Sequence, residues 1–214
     1  MSPYQALSPL LLPHVDAGDD GSHDTSHLDR VWANARRIMA DEGGDGEVLA
    51  AAVLLHDSVR VEKSSPQRPH ASRLAAERAR AVLGGLGWAG ARIEAVAHAI
   101  AAHSFSAGIA PQTLEARILQ DADRLEAIGA IGIARCFYTA GRMGSALYDP
   151  ADPAAAHRPL DDRAFAIDHF RAKLLTLEGG FQTAAGRRLA RERTQFTADF
   201  LAAFEEEIGG EIGV

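Results

Sequence analysis

The sequence predicts an all-α fold on three grounds. Alanine is abundant while β-branched runs are scarce, apolar residues recur at helical spacing in one segment after another, and no stretch alternates as a strand would. Of 214 residues, 47% are hydrophobic and 24% charged, enough apolar surface for one domain with a sizeable core.

Taken in order, residues 1–22 read as an irregular N-terminal arm: prolines interrupt the apolar residues of MSPYQALSPLLLPHVD, and DAGDDGS is turn-rich. A helix is expected from Thr25 to about Ala40, because Val31, Ala35 and Ile38 share a face and the glycines of DEGGDG stop it. His27 lies one turn before Val31 on that stripe. A second helix, from about Glu47 to His56, places Leu49, Ala52, Val53 and His56 at i, i+3, i+4 and i+7, which turns His56 inward. The loop SVRVEKSSPQRPH follows, then an alanine-rich helix from about Ala71 to Leu83 that ends at Gly84-Gly85.

Ile93, Val96, Ala97 and Ile100 mark a helix from about Ala89 to His103, with His103 extending its apolar face. A longer helix is expected over roughly Pro111 to Tyr138. GRMGSALYDPADPAAAHRPL has no periodicity, so residues 139–160 read as a long loop or lid. Two amphipathic helices, about Asp161 to Leu177 and Thr183 to Ile208, close the chain. The expected organisation is an arm over 1–22, a helical core over 23–138, the loop, and C-terminal helices over 161–214 packing on the core. Phe196, Phe200, Leu201 and Phe204 are expected to face that core, with a homodimer contact as the alternative.

A formal charge of −7 argues against a broad grip on duplex nucleic acid or anionic lipid, which are held by clustered Lys and Arg. The single cysteine, Cys136, makes no internal disulfide and no Cys-based zinc site, and reads as a small buried hydrophobe. The N-terminal stretch has no basic region of the kind a signal peptide carries, and no apolar run approaches the roughly 18 residues of a membrane span. A soluble protein of the reducing cytoplasm is expected.

Four positions draw attention on chemical grounds: His27, the pair His56-Asp57 in AAVLLHDSVR, and Asp123. Two imidazoles and two carboxylates form an N/O donor set suited to a divalent ion such as Mn, Mg, Fe, Ni, Co or Zn. Such an ion lowers the pKa of a bound water and neutralises phosphate oxygens. Neighbours on a helix diverge by about 100°, so His56 and Asp57 converge on one ion only at a helix end. The competing reading is ordinary: a histidine on an apolar stripe is usually a satisfied core residue, and a His-Asp pair is common by chance. On the residues alone both readings stand.

The ordered set His27, LLHD, HAIAAHS and DADRL resembles the HD-domain superfamily of metal-dependent phosphohydrolases, whose signature is H…HD…D on a helical core. The phrases SHDTSH, HSFSA, ILQDADRLEAIGAIGIAR and LYDP are similar to a bacterial single-domain branch. The resemblance implies an HD-domain helical bundle with additional C-terminal helices, a metal held by His27, His56, Asp57 and Asp123, and hydrolysis of a phosphate ester or anhydride. The implied substrate is a phosphorylated small molecule such as a nucleotide, cut either as a nucleoside triphosphate to monophosphate and pyrophosphate or as a monophosphate.

On the helix from Pro111, periodicity instead favours Asp121, which lies nearer the stripe of Ile118, Ala122, Leu125 and Ile128; Asp123 is about 200° round from it. The motif selects Asp123, leaving Asp121 as a solvated or capping carboxylate. Asp57, His103 and Arg30 are the expected catalytic residues. Lys63, Arg68 and Arg124 are the expected cations for phosphate, although loop Lys and Arg are usually just solvated.

Some relatives have a glutamate three residues after the HD aspartate; here it is Arg60, which leaves the general acid or base unassigned, with Glu62 as a spare. Asp24 reads as a helix cap, and Asp149 and Asp152 as turn formers. His14, His23, His70, His157 and His169 receive no role. Two rival functions are a di-iron oxygenase, which would need His103 and His98 as further ligands, and a non-catalytic nucleotide-sensing module.

Overall fold

The computed structural model describes residues 1–16, 25–59, 61, 70–104 and 107–209, and among these it is helical with no strand beyond one isolated bridge. Two compact units are formed, one by Met1–Asp123 with Gln182–Gly186, the other by Arg124–Phe181 with the chain from Arg187 on.

In the first unit α3 (Gly46–Leu55) is the central helix. Asp45 caps it, its Oδ1 accepting the N–H groups of Glu47 and Val48 at 2.9 and 3.1 Å. Every residue from Val48 to Leu55 is buried, as expected of a helix that is apolar all round. Against it pack α1 (Pro3–Leu11), α2 (Thr25–Glu42) and α5 (Gly90–His103), while α4 (Ala71–Gly85) pairs with α5. The helix α6 (Leu114–Arg124) buries Ile118, Leu119 and Ala122.

The helix α1 corrects the irregular arm expected at the N-terminus. Ser2 and Gln5 form a reciprocal capping box, and Pro3 sits in the first turn, where its missing N–H costs nothing. Tyr4, Leu7 and Leu11 are buried; the Tyr4 ring stacks on Trp32 at 5.3 Å and its hydroxyl donates to Asp29 at 2.9 Å. Proline content hid this apolar face.

A single helix was also expected from Pro111 to Tyr138, but α6 ends at Arg124, a 3-10 turn spans Leu125–Ala127, and α7 (Gly129–Met143) starts afresh. The break lies at Ile128, extended at φ −129° and ψ 163°, and Gly129, at φ 75°. Within the second unit Gly129 N–H donates to Thr197 Oγ1 at 2.9 Å, and a Cβ there would press to 3.1 Å from the Arg193 side chain. Only glycine suits both the dihedral and the space.

The helix expected from Asp161 to Leu177 shrinks to α8 (Asp168–Ala172) and a 3-10 segment over Leu174–Gly180. Asp161 Oδ1 accepts the N–H groups of Arg163 and Ala164, a local alternative to helix, and Ala146 bridges to Phe165. Arg158 organises this irregular stretch: its guanidinium reaches Asp168 at 2.5 and 3.0 Å and Asp149 at 3.0 Å. The last helix, α9 (Ala184–Gly209), matches its expected span. In the second unit Phe200 and Phe204 join Phe137 and Phe170 in an aromatic cluster, and Leu201 is buried, whereas Phe196 is exposed. Cys136 is half-buried, and burial, reinforced by Asp162, pushes its thiol up to about 11. Among the described residues no helix is long and apolar enough to cross a membrane.

Candidate metal centre

Four side chains from three segments of the first unit meet at one place. His27, in the first turns of α2, is 2% exposed and His56, the residue after α3, is fully buried, whereas Asp57 and Asp123 are 40% and 32% exposed. The imidazoles thus form an inner wall and the carboxylates a rim. His27 Nε2 lies 3.5 Å from Asp123 Oδ1 and 3.9 Å from Asp57 Oδ2; His56 Nε2 lies 3.7 Å from Asp57 Oδ2 and 3.9 Å from Asp123 Oδ1. These separations exceed a hydrogen bond and suit atoms arranged about a common centre. His27, His56 and Asp57 each offer a ligand atom within 4.8 Å of the others, a grouping able to hold a metal ion.

The local backbone explains how adjacent residues share this centre. The helix α3 stops at Leu55, and Ser58 N–H returns to the Leu55 carbonyl at 3.1 Å, so Asp57 lies in a turn, free of the 100° helical divergence.

Protonation follows from the bonds. His56 Nδ1 is 2.8 Å from the Val53 carbonyl, which only accepts, so Nδ1 carries the hydrogen and Nε2 presents a lone pair. That Nε2 is buried and makes no hydrogen bond, an expensive state for a polar atom unless something electropositive meets it. Burial lowers the His56 pKa, as do His103 and His27, against opposition from Asp57 and Asp123; the neutral form is the one that binds metal. His103 repeats the pattern at the end of α5: Nδ1 bonds the Ile100 carbonyl at 2.6 Å, Nε2 points to Asp57 Oδ1 at 3.8 Å, and the ring meets His56 edge-on. The donor set and the orphaned His56 nitrogen both fit a divalent ion.

Asp121 and Asp123 divide two tasks. Asp121 is fully buried and braces the entry to α9: its Oδ1 accepts Gln182 N–H at 2.8 Å, and its Oδ2 accepts Thr183 N–H at 2.8 Å and the O–H of Thr183 at 2.7 Å, while Thr183 Oγ1 caps the helix by accepting Gly186 N–H at 2.9 Å. A Cβ on Gly186 would collide with that carboxylate. Periodicity had correctly sensed an inward aspartate, but the apolar face serves a helix terminus.

The other expected residues have recorded partners or lie outside the described residues. Arg30, half-buried one turn after His27, donates to Ser26 Oγ at 2.7 Å. Arg124 donates to the Gly180 carbonyl and lies over the Phe181 ring at 5.8 Å. Lys63, Arg68, Arg60, Glu62 and Asp24 fall outside the described residues. His98, the extra ligand of the oxygenase reading, accepts Gln112 N–H on Nε2 at 3.0 Å. Asp149 and Asp152 accept backbone N–H groups within their turns. Two buried amides that sequence reasoning passed over, Asn34 and Gln120, bond backbone carbonyls beside the site: Asn34 Nδ2 to Ala122 at 3.1 Å and Gln120 Nε2 to Ala102 at 2.8 Å. The signal was there in spacing, Asn34 being two helical turns from His27.

The HD domain profile matches residues 25–128, which include all four converging side chains. A Bacillus subtilis protein named YpgQ, described as uncharacterized, is 34% identical over 196 residues, covering 90% of this chain and 87% of its own. The chain belongs to the HD-domain family. Its HD domain also has solved relatives. The crystal structure of Bacillus subtilis YpgQ in complex with ADP superposes with a TM-score of 0.71 at 31% identity, covering 97% of this chain and 98% of that one. An HD-superfamily hydrolase from Bacillus thuringiensis gives 0.70 at 28% identity, with 98% and 96% covered.

Proposed function

We propose that this HD-domain protein is a metal-dependent phosphohydrolase acting on a nucleotide, either as a nucleoside triphosphate pyrophosphohydrolase or as a nucleotidase. The observation that supports it most is that His27 and His56 each lie 3.5 to 3.9 Å from both Asp57 and Asp123, the two carboxylates forming a partly open rim. These four side chains would hold one divalent ion (Mn, Mg, Fe, Ni, Co or Zn). When bound, an ion of this kind supplies Lewis acidity, drawing charge from phosphate oxygens and making water more acidic.

The chain's own residues do the rest. His103 Nε2, a lone pair beside Asp57, takes or returns a proton at the reacting phosphate. Arg30 pairs with a phosphate oxygen, its guanidinium braced on Ser26. Lys63, Arg68 and Arg124 are the cations proposed for the phosphate charge. The nucleotide preference is supported by the relative crystallised with ADP.

The test is a hydrolysis screen, supplemented with Mn(II), of nucleoside mono-, di- and triphosphates beside generic phosphate esters, with phosphate and pyrophosphate assayed separately. Metal-dependent release from at least one nucleotide is expected. Nucleotide binding without cleavage under every ion would replace the hydrolase by a sensor.

A further inference from the structure

The helices α5 and α6 end beside the centre, and helix C-termini leave backbone carbonyls without intrahelical partners. Ala122 and Ala102 lie in the last turns of α6 and α5, and both residues are fully buried, where water does not serve their carbonyls. Each carbonyl accepts a side-chain amide instead. Asn34, 4% exposed on α2, donates to Ala122; Gln120, 4% exposed on α6, donates to Ala102.

The pattern is specific in where it falls. Ala122 directly precedes Asp123, and Ala102 directly precedes His103. Asn34 stands seven residues after His27, on the same helical face, and Gln120 stands three before Asp123. A relay results: α2, which holds His27, grips α6 beside Asp123, and α6 in turn grips α5 beside His103.

We propose that Asn34 and Gln120 are positioning residues that, through these two buried amide-to-carbonyl bonds, set where Asp123 of the metal centre and the His103 imidazole beside it stand. The inference rests on the metal reading above and adds what holds its donors in register. Partners hydrogen-bonded to a metal ligand ordinarily change metal affinity by about 10- to 100-fold when replaced, and these two amides bond the residues next to Asp123 and His103. Asn34 acts on the Asp123 carboxylate through the end of α6, and Gln120 acts on the His103 imidazole through the end of α5.

Asn34→Leu and Gln120→Met remove the donor at similar volume. A comparison variant, Thr197→Val, deletes a buried acceptor for Gly129 N–H in the second unit, so it measures stability loss unconnected to the centre. Co(II) is titrated into each metal-free protein, reading affinity and the visible absorption bands, and thermal unfolding of the metal-free proteins is followed by circular dichroism.

The expected result is a tenfold or greater loss of Co(II) affinity with altered bands in Asn34→Leu, altered bands together with a fall in kcat at unchanged KM in Gln120→Met, and unchanged Co(II) binding in Thr197→Val at a comparable fall in Tm. Co(II) affinity and spectra equal to the parent's in both amide variants would overturn the positioning role while leaving the metal reading intact. Equal losses in Thr197→Val would reduce the effect to general destabilisation and overturn it too. Failure of the parent itself to bind Co(II) or Mn(II) would remove the metal reading, and the inference with it.

Discussion

At the residue scale, Asp57 combines a rim position with contacts to three histidines, lying 3.9, 3.7 and 3.8 Å from His27, His56 and His103. Because its side chain is 40% exposed, removing it leaves no large cavity. Asp57→Ala should therefore lose metal binding and hydrolysis while circular dichroism shows helix content close to the parent's; retained turnover would remove the assigned role. These residues were visible in the sequence because chemistry and order coincide: two inward histidines, a His-Asp pair at a helix end, and an aspartate in DADRL. Arg124 illustrates what was not visible. It is proposed as a phosphate cation, and its contact with the Gly180 carbonyl is one that only the folded chain shows. Spacing along a chain says nothing of which distant carbonyl a long side chain will find.

At the element scale, the N-terminus of α9 is built around one buried carboxylate. Asp121 accepts from Gln182 N–H, Thr183 N–H and Thr183 O–H, and Glu42 adds a bond to Ala185 N–H at 2.7 Å. Asp121→Ala would leave buried donors unmatched, at a cost of about 1–3 kcal/mol for each one that finds no substitute. Urea unfolding of that variant should show a midpoint well below the parent's; an unchanged midpoint would contradict the bracing role. The helices α2 to α5 and α9 were legible because period and stop signals agree along them. The break at Ile128-Gly129 was not, since its cause is tertiary: Thr197 and Arg193, more than sixty residues on, meet Gly129.

Asp168 belongs to the same scale, as the anchor of the irregular stretch before α8. Burial raises its pKa, but the Arg158 hydrogen bond, Asp161 N–H and the charges of Arg158 and Arg171 outweigh it, and the carboxyl is held below its ordinary value. A lowered folded pKa means stability that is present above the unfolded value of about 3.9 and is lost as pH falls through the folded value. Acid unfolding followed from pH 5 downwards should be less steep in Asp168→Asn than in the parent; identical slopes would contradict the linkage.

At the scale of the whole molecule, metal binding and folding are coupled if the centre exists only in the folded chain. A ligand at about 100 times its Kd adds about 2.7 kcal/mol to the folded state. Saturating Mn(II) should accordingly raise Tm, and a chelator should reverse the rise; a Tm indifferent to both would count against a specific centre. The all-α class was readable from composition and periodicity, and the centre from the motif. The helix α1 and the amide relay were not, because prolines masked the one and the other depends on buried carbonyls that no sequence pattern marks.

The central claim is that His27, His56, Asp57 and Asp123 surround a single cation. An anomalous difference map from crystals soaked in Mn(II) tests it most directly. One strong peak within coordination distance of a donor atom of each of the four side chains is predicted; a map with no peak there at millimolar Mn(II), or with its peak elsewhere, would contradict it.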